Sequence, residues 1–330
     1  MAGDDEEARR RRAAALRRRS GELAGGGEPG RPPASPYEFI EREMRTPRGV
    51  STMSHPFDPG PVTGRFATLA SEYPGAEAYP PADFRIEWGP IFHRGRLDGT
   101  AKVLVVGQDP GQHEAIARRI LVGEAGQRVQ GFLAKLGIER SYVMVNAFLY
   151  SVYGQQGGER HTESEPIIAY RHSWLDALLV DSAIEVVVGF GHLARDAFER
   201  WRQTEAGEAS GVLFEPLTHP TMPEAASHGD ADRKAEATRS MLEGWNAGLE
   251  RIDDVLGERD SGDRGSLVPY GDELLAEDRA PIPGFDMPPG TPPWMRSVKQ
   301  WATRKGDTPE AKRACIEVVV PSGERPWEEA

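Results

Sequence analysis

Short apolar runs, separated by stretches of mixed polarity, dominate the middle of the chain. Three of them are KVLVVG at Lys102–Gly107, YVMVN at Tyr142–Asn146 and IEVVVG at Ile184–Gly189. Continuous runs of this length are typical of strands buried on both faces of a sheet. A weaker fourth run, Val212–Thr218, contains Pro216, which suits an edge strand or a strand end. The pattern therefore predicts four strands.

The stretches between these runs have helical periodicity. One of them ends at Gly137, a suitable C-cap, and another begins with Pro166 just after Ser164. The predicted helices are Glu124–Leu136, Glu165–Val180, His192–Arg202 and Asp230–Leu249. Alternation of strands and helices is typical of a parallel sheet covered on both sides. We expect an α/β fold, a three-layer sandwich around a central, mainly parallel four-stranded sheet.

Composition places flexible extensions on either side of this domain. Only 38% of the residues are hydrophobic, whereas 37 are glycine and 27 are proline. We predict an N-terminal arm and linker over residues 1–62, a folded domain over 63–250 and a charged, proline-rich extension over 251–330. The extension is expected to wrap or dangle, and Trp294–Lys305 to form a short basic helix that packs back on the domain.

Net charge of −12 argues against a protein that coats nucleic acid by bulk electrostatics, but it leaves room for a local basic patch. Two basic blocks, Arg9–Arg12 and Arg17–Arg19, are either a solvated arm or a DNA tether. The single cysteine, Cys315, excludes an intramolecular disulfide and an all-cysteine metal site within one chain. No apolar run suits a membrane span or a secretory signal, so a cytoplasmic protein without a membrane partner is expected.

Polar residues follow the predicted strands at their carboxyl ends, where parallel sheets bind ligands. Asp109 lies in a GQDPG turn after the first strand, Asn146 ends the second, and His219 follows the fourth. Each also has a structural interpretation, as a turn residue, a strand cap or a packed histidine. Because all of these strand ends lie along one edge, we expect the side chains to converge on a site.

The ordered set GQDPG, VGEAGQ, VNAF, VVVGFGHLA and THP resembles the uracil-DNA glycosylase superfamily over about Phe84 to Leu249. GQDP is similar to the first motif of the ubiquitous uracil-DNA glycosylases. Gly111 and the VGEAGQ segment look more like the thermophile iron–sulfur branch, although the cysteines of that branch are missing.

The resemblance implies a monofunctional hydrolase that rotates a base out of DNA and cleaves its N-glycosidic bond, leaving an abasic site. By similarity, Asp109 stabilises the cationic sugar and orients water, and His219 donates toward O2 of the departing base. Asn146 reads the base edge, while Gly107 and Gln108 supply backbone contacts. No metal or cofactor is expected, and no lysine in these motifs suggests a Schiff-base step.

DNA, single- or double-stranded, is the expected partner of a monomeric protein. The loop that holds Thr221 and Met222 corresponds to the one that relatives insert into the duplex, so Met222 is either a wedge or a buried closing residue. Arg118 and Arg119 either contact phosphates or form a solvated helix face.

Two positions depart from the family pattern. Leu121 stands where relatives stack an aromatic ring on the flipped base, which leaves Phe92, Phe148 or Phe190 as substitutes. Gly111 replaces a bulky tyrosine, so the pocket is expected to be roomier. Uracil is the default substrate; a bulkier base, such as a hypermodified cytosine of phage DNA removed in a defence role, is the alternative. A non-catalytic DNA-binding relative is the third possibility.

Overall fold

The computed structural model describes residues 60–62, 64–153, 155–262 and 266–325. Apart from residues 60–62, the predicted arm over 1–62 lies outside the described residues, and so do the basic blocks Arg9–Arg12 and Arg17–Arg19. Within the described ranges, no helix is long and apolar enough to cross a lipid bilayer.

A central sheet of five strands organises the domain, in the spatial order β1-β3-β2-β4-β5. The four predicted strands are present and parallel to their neighbours, and Pro216 lies on the edge strand β5. The prediction of four strands was one short, because the two-residue strand β1 pairs antiparallel with β3 at the other edge. Two residues are too few to carry an alternating pattern. The strands are β1 Arg94–Gly95, β2 Val103–Gly107, β3 Tyr142–Asn146, β4 Val186–Phe190 and β5 Leu213–Leu217.

The predicted helices are confirmed to within a few residues. Gly137 adopts a left-handed φ of 71° just after its helix ends, as expected of a C-terminal glycine. Asp230 caps the last long helix by accepting a hydrogen bond from Arg233 N, and this helix runs on to Val255, beyond the predicted boundary at 250. The helices of the domain are α1 Gly64–Ser71, α2 Gln112–Ala117, α3 Glu124–Lys135, α4 Gln155–Glu159, α5 Glu165–Leu179, α6 His192–Arg202, α7 Glu205–Ser210, α8 Met222–Ser227 and α9 Ala231–Val255.

Alternate residues of the buried strands face two separate cores, one on each side of the sheet. On one side, Leu104 and Val106 of β2 pack with Trp174 of α5 and Phe198 of α6. On the other side lies a second cluster, formed by Val103, Val105, Phe132, Trp245 and neighbouring side chains. This arrangement confirms the three-layer α/β sandwich, and it explains why the strand sequences are apolar at every position.

The C-terminal extension wraps onto the domain over its described length, so it is packed rather than flexible there. The predicted helix Trp294–Lys305 was wrong, although the prediction that this segment packs back on the domain was right. Pro293–Arg296 is a short 3₁₀ turn, and Ala302–Arg304 is a strand, β6, which pairs antiparallel with β7, Ile316–Val318. Helix α10, Pro309–Ala314, lies between these strands in sequence.

Two aromatic residues of the extension are buried against the segment that follows the GQDPG turn. Trp294 and Trp301 form a third apolar cluster together with Ala117 and Val122, which lie at the end of α2 and just before α3. The backbone N–H of Trp301 also donates to Nε2 of His113, a buried residue of α2. The extension therefore supports the segment that follows the GQDPG turn.

Candidate active site

A cleft of about 850 Å³ lies at the carboxyl ends of the parallel strands, where the sequence predicted a site. Strand β2 leads into it with Gln108 and Asp109, and β5 leads into it with Thr218 and His219. Of the predicted site residues, those that line the cleft are Gln108, Asp109, His219, Thr221 and Met222.

Asp109 is a partly exposed carboxylate on the wall of the cleft. Its Oδ2 accepts a hydrogen bond from Val152 N at 3.0 Å, while Oδ1 accepts none from a described residue. Burial raises the pKa of Asp109 to about 6, with a further rise from the charge of Glu114; the Val152 N–H and the charges of Arg85 and Arg304 oppose this rise. The side chain is therefore ionised at pH 7, and one oxygen is available to a ligand.

His219 is a neutral imidazole in the same cleft. Burial lowers the pKa of His219 to about 4, and the positive charge of Arg128 contributes to the shift. Its Nδ1 accepts from Thr221 N at 3.3 Å, which assigns the ring proton to Nε2. A neutral ring with a fixed Nε2–H can donate a hydrogen bond to an oxygen that gains negative charge.

Gln108 uses its side chain to hold a neighbouring helix. Its Oε1 accepts from Leu193 N at the start of α6, and its amide packs against Gly191. A Cβ at Gly191 would lie 2.6 Å from Gln108 Oε1, and this glycine has a φ of 93°, so only glycine suits the position. Gln108 thereby joins the ends of β2 and β4 at the floor of the cleft.

Glu114, which sequence reasoning missed, ties two motifs together. Its Oε2 accepts from Gly111 N at 3.0 Å, and its Oε1 accepts from Val122 N at 2.9 Å. The Gly-x-x-Glu spacing of a capping box was the available signal, because Gly111 is the N-cap of α2 and Glu114 its N3 residue. Glu114 thus positions the GQDPG turn relative to the VGEAGQ segment.

Gly107, Asn146 and Leu121 form a closed group beside the cleft rather than on its wall. A Cβ on Gly107 would lie 2.3 Å from Asn146 Oδ1 and 3.8 Å from Leu121 Cδ1, so both side chains cover this glycine. Asn146 is only 2% exposed. The structure brings these residues together, and their role in base binding stays a prediction.

The connection between α2 and α3 holds two residues in the left-handed region, Arg118 with φ 57° and Leu121 with φ 53°. Such conformations cost about 1–3 kcal/mol each for residues other than glycine and cluster at functional sites. The strained turn therefore presents Leu121 to Gly107 at a cost in stability, directly beside the strand ends.

No aromatic ring of Phe, Tyr or Trp lines the cleft among the described residues. Phe92 stacks on Trp174 in the core, and Phe190 packs against Phe132. Phe148 is buried against Phe84. None of the three proposed substitutes for the stacking ring therefore faces the cleft. Gly111 is likewise absent from its wall.

Thr221 and Met222 lie at the N-terminus of α8, close to His219. Met222 N donates to His219 O at 3.0 Å, so the loop is hydrogen-bonded to the end of the strand segment. Met222 is half-buried; it lines the cleft and also packs against the apolar cluster below β5. Both interpretations of Met222 thus have structural support.

Arg118 and Arg119 lie away from the cleft, at the end of α2. Arg118 donates from Nη1 to Trp88 O and from Nη2 to Pro90 O, both at 2.6 Å. Arg119 donates from Nη1 to Arg118 O at 3.0 Å. Their predicted phosphate contacts stay predictions, and Arg118 also has a structural task in holding the 88–90 segment.

Four further charged or titratable residues line the cleft that sequence reasoning did not select: Glu159, His192, Arg195 and Arg304. His192 directly follows the end of the third predicted strand, so the strand-end argument applied to it. Its Nε2 lies 3.3 Å from Glu159 Oε1. Glu159 and Arg304 had no local signal, because α4 and β6 reach the cleft only through tertiary packing.

The comparisons with known proteins agree with this geometry. A family model described as "Uracil DNA glycosylase superfamily" matches residues 94–241, which lie within the region of resemblance and include the strand ends that form the cleft. A search of curated proteins gave no significant match. Residues 94–241 are therefore similar to the uracil-DNA glycosylase superfamily, and this similarity supports a function of the DNA glycosylase type.

Proposed function

We propose that the protein hydrolyses the N-glycosidic bond of a base rotated out of DNA, with uracil as the default base, and leaves an abasic site. The observation that carries this proposal is the presence of Asp109 and His219 on one cleft, the first ionised and the second neutral at pH 7. Pairs of titratable groups with environments that separate their protonation states are typical of catalytic sites.

Bond cleavage develops positive charge on the sugar and negative charge on the base. In the proposed reaction, Asp109 faces the sugar, stabilises its charge and orients the attacking water. His219 Nε2–H donates to O2 of the base as this oxygen gains charge. The base leaves with both electrons of the glycosidic bond, the water oxygen bonds to the sugar carbon, and the proton lost by this water neutralises the released base anion.

Asn146 is the proposed reader of the base edge, since its amide offers both a donor and an acceptor. Asn146 is only 2% exposed, so a base reaches it only if neighbouring side chains move. Leu121, which lies close to Gly107 in the strained turn between α2 and α3, is our candidate for this movement.

A bulkier modified base is the second candidate substrate. The cleft has a volume of about 850 Å³ and continues past Asp109 to Glu159, His192 and Arg195, where polar groups are available for a substituent on the base. The volume of the cleft accommodates a base larger than uracil, and this observation supports the second candidate.

Base release from labelled oligonucleotides tests the proposal. The substrates carry uracil, thymine, hypoxanthine, 5-hydroxymethylcytosine or glucosylated cytosine, each in single and double strands, and Asp109→Asn is the control. Release of uracil that is lost in the variant supports the repair reaction, and release of a modified base alone supports the second candidate. DNA binding without release of any base would leave only a non-catalytic DNA-binding protein.

A further inference from the structure

The C-terminal extension carries an arginine into the cleft. Arg304 is the last residue of β6, and its side chain lines the same cleft as Asp109 and His219. It is exposed, and it lies on the same side of its strand as Ala302, which is fully buried against the domain. Its side chain therefore lies on the side of the strand that faces the domain, where it is accessible from the cleft.

Arg304 differs from the other cations of the cleft in its partners. Arg195 Nη2 pairs with Asp196 at 2.8 Å, and His192 lies 3.3 Å from Glu159. Arg304 forms no ion pair and no hydrogen bond with any described residue. It is thus a positive charge in the cleft whose hydrogen-bonding capacity is available to a ligand.

Two further guanidinium groups lie beside this position, both over the ring of Tyr153. The Cζ atom of Arg85 is 4.0 Å from the ring centroid, and that of Arg313, from α10 of the extension, is 3.8 Å from it. Arg85 is only 4% exposed, and its Nε and Nη1 have no hydrogen-bond partner among the described residues. Arg85 is thus held by its ring contacts with Tyr153 and Trp88, and its charge lies close to that of Arg304.

The charges of this group do not balance locally. Burial lowers the pKa of Arg85, and the nearby positive charge of Arg304 lowers it further. The nearby carboxylates are Glu87, which accepts a hydrogen bond from Tyr153 Oη at 2.6 Å, and Asp109 on the cleft wall. An anion bound to Arg304 in the cleft would offset the repulsion between the charges of Arg304 and Arg85.

We propose that Arg304, supported by Arg85 and Arg313, binds a phosphodiester of the DNA strand next to the flipped nucleotide, so that the C-terminal extension forms part of the DNA-binding site. This inference rests on the proposed function. Arginine suits the role because its planar fork matches two phosphate oxygens and stays charged at any physiological pH. A local cluster of this kind also provides a grip on DNA for a chain with a net charge of −12.

Equilibrium binding tests the proposal, with Arg304→Gln as the variant and Lys305→Gln as the matched control. Lys305 is the next residue in the chain, and its replacement by glutamine removes the same positive charge. Its side chain points to the opposite side of the strand, where Nζ pairs with Glu317 at 2.9 Å. Both changes are made in the Asp109→Asn background, so that binding of a target-containing duplex is measured without turnover. We expect Arg304→Gln to weaken binding about 5- to 10-fold and to reduce the slope of log Kd against log salt by about 1, and Lys305→Gln to change the affinity less than about twofold.

Neutral methylphosphonate linkages, placed one at a time on either side of the target nucleotide, locate the contact. One linkage should weaken binding to the Asp109→Asn protein and have little further effect once Arg304 is also replaced, because the two changes remove the same interaction.

Equal affinities and equal salt slopes for the two variants would overturn the inference. So would a loss of cleavage rate in Arg304→Gln alone, at unchanged affinity, since it would assign Arg304 to the reacting atoms. Failure of the wild-type protein to bind or cleave any DNA would remove the proposed function and this inference together. Cleavage by the wild type with no difference between the variants would remove the inference alone.

Discussion

Asp109 and Asp286 are two carboxylates of the same molecule that differ in burial and, more importantly, in their partners. Asp286, in the C-terminal extension, is fully buried and pairs with Arg94 Nη1 at 2.6 Å, while Tyr142 Oη donates to it at 2.6 Å. Asp109 accepts one backbone N–H and has no directly bonded cation among the described residues. The paired carboxylate fastens the extension to the sheet, and the unpaired one keeps its charge for a ligand.

Whether a carboxylate has a partner also determines if it contributes to the stability of the fold or is available for activity. A buried charge with a partner becomes costly when the partner is removed. A desolvated charge without a partner raises the energy of the folded state from the outset, and the pKa of Asp109 is raised for this reason. We therefore expect substitutions at the two positions to act in opposite directions on stability.

The largest effect on stability is expected for Asp286→Ala. Loss of the carboxylate leaves Arg94, which is 0% exposed, without its ion-pair partner. Removal of one member of a buried pair typically costs about 3–5 kcal/mol, so the free energy of unfolding should fall by that amount. Urea denaturation measures it, with Asp272→Ala, an exposed aspartate of the same extension, as a control that should change by less than about 0.5 kcal/mol. Similar values for the two variants would show that Asp286 does not fasten the extension.

Asp109→Asn should abolish activity and stabilise the fold. The rate of base release is expected to fall about 100- to 1000-fold, the usual effect of removing one group that stabilises transition-state charge. At pH 8 the variant should unfold with a free energy higher by on the order of 1–3 kcal/mol, because the amide carries no charge to desolvate. Near pH 4 this gain should vanish, since the wild-type carboxyl is then largely neutral. A variant that is less stable than the wild type at pH 8 would contradict the comparison.

The pH dependence of base release should show an acid limb near pH 6. Asp109 acts as the carboxylate, so the rate should fall about tenfold per pH unit below its pKa of about 6. His219 contributes no change in this range, because its pKa of about 4 keeps it neutral. The stability of the fold should depend on pH in the opposite direction. Because the pKa of Asp109 is raised from 3.8 to about 6 in the folded state, protonation of this side chain stabilises the fold fully below pH 3.8, and this stabilisation is lost as the pH rises through about 6. A rate profile that is flat between pH 5 and pH 8 would contradict the assignment of Asp109.

The smallest effect is expected for Glu114→Gln. Its negative charge raises the pKa of Asp109, so neutralisation should move the acid limb to lower pH by less than about one unit. An acid limb that stays in place, with the rate at pH 8 also unchanged, would show that Glu114 does not act on Asp109. The two oxygens of Glu114 accept from different backbone N–H groups and glutamine keeps only one acceptor oxygen, so Glu114→Gln should also lower the rate moderately at every pH. Glu114→Ala is the companion variant; it removes both acceptors of the Gly111 and Val122 N–H groups and should lower the rate further at every pH.

Local sequence predicted much of this molecule because its central strands are buried on both faces. Such strands are apolar at every position, so Tyr142–Asn146 could be located to the residue, and the ends of parallel strands necessarily share one edge. That edge placed Asp109 and His219 on one cleft without knowledge of any contact. The strand β1 could not be found in this way, because two residues carry no period.

Tertiary packing decided which residues at that edge face the cleft and which other segments reach it. Asn146 lies at a strand end like Asp109, yet it is buried and absent from the wall of the cleft, and no local pattern distinguishes the two positions. Arg304 lies almost 200 positions beyond Asp109 in the chain and reaches the same cleft because β6 pairs with β7 and Trp301 packs against His113. Hydrophobic periodicity shows only which residues of a segment face the core and which face solvent. Contacts between distant segments depend on the shapes and charges of surfaces that form only once the sheet has folded.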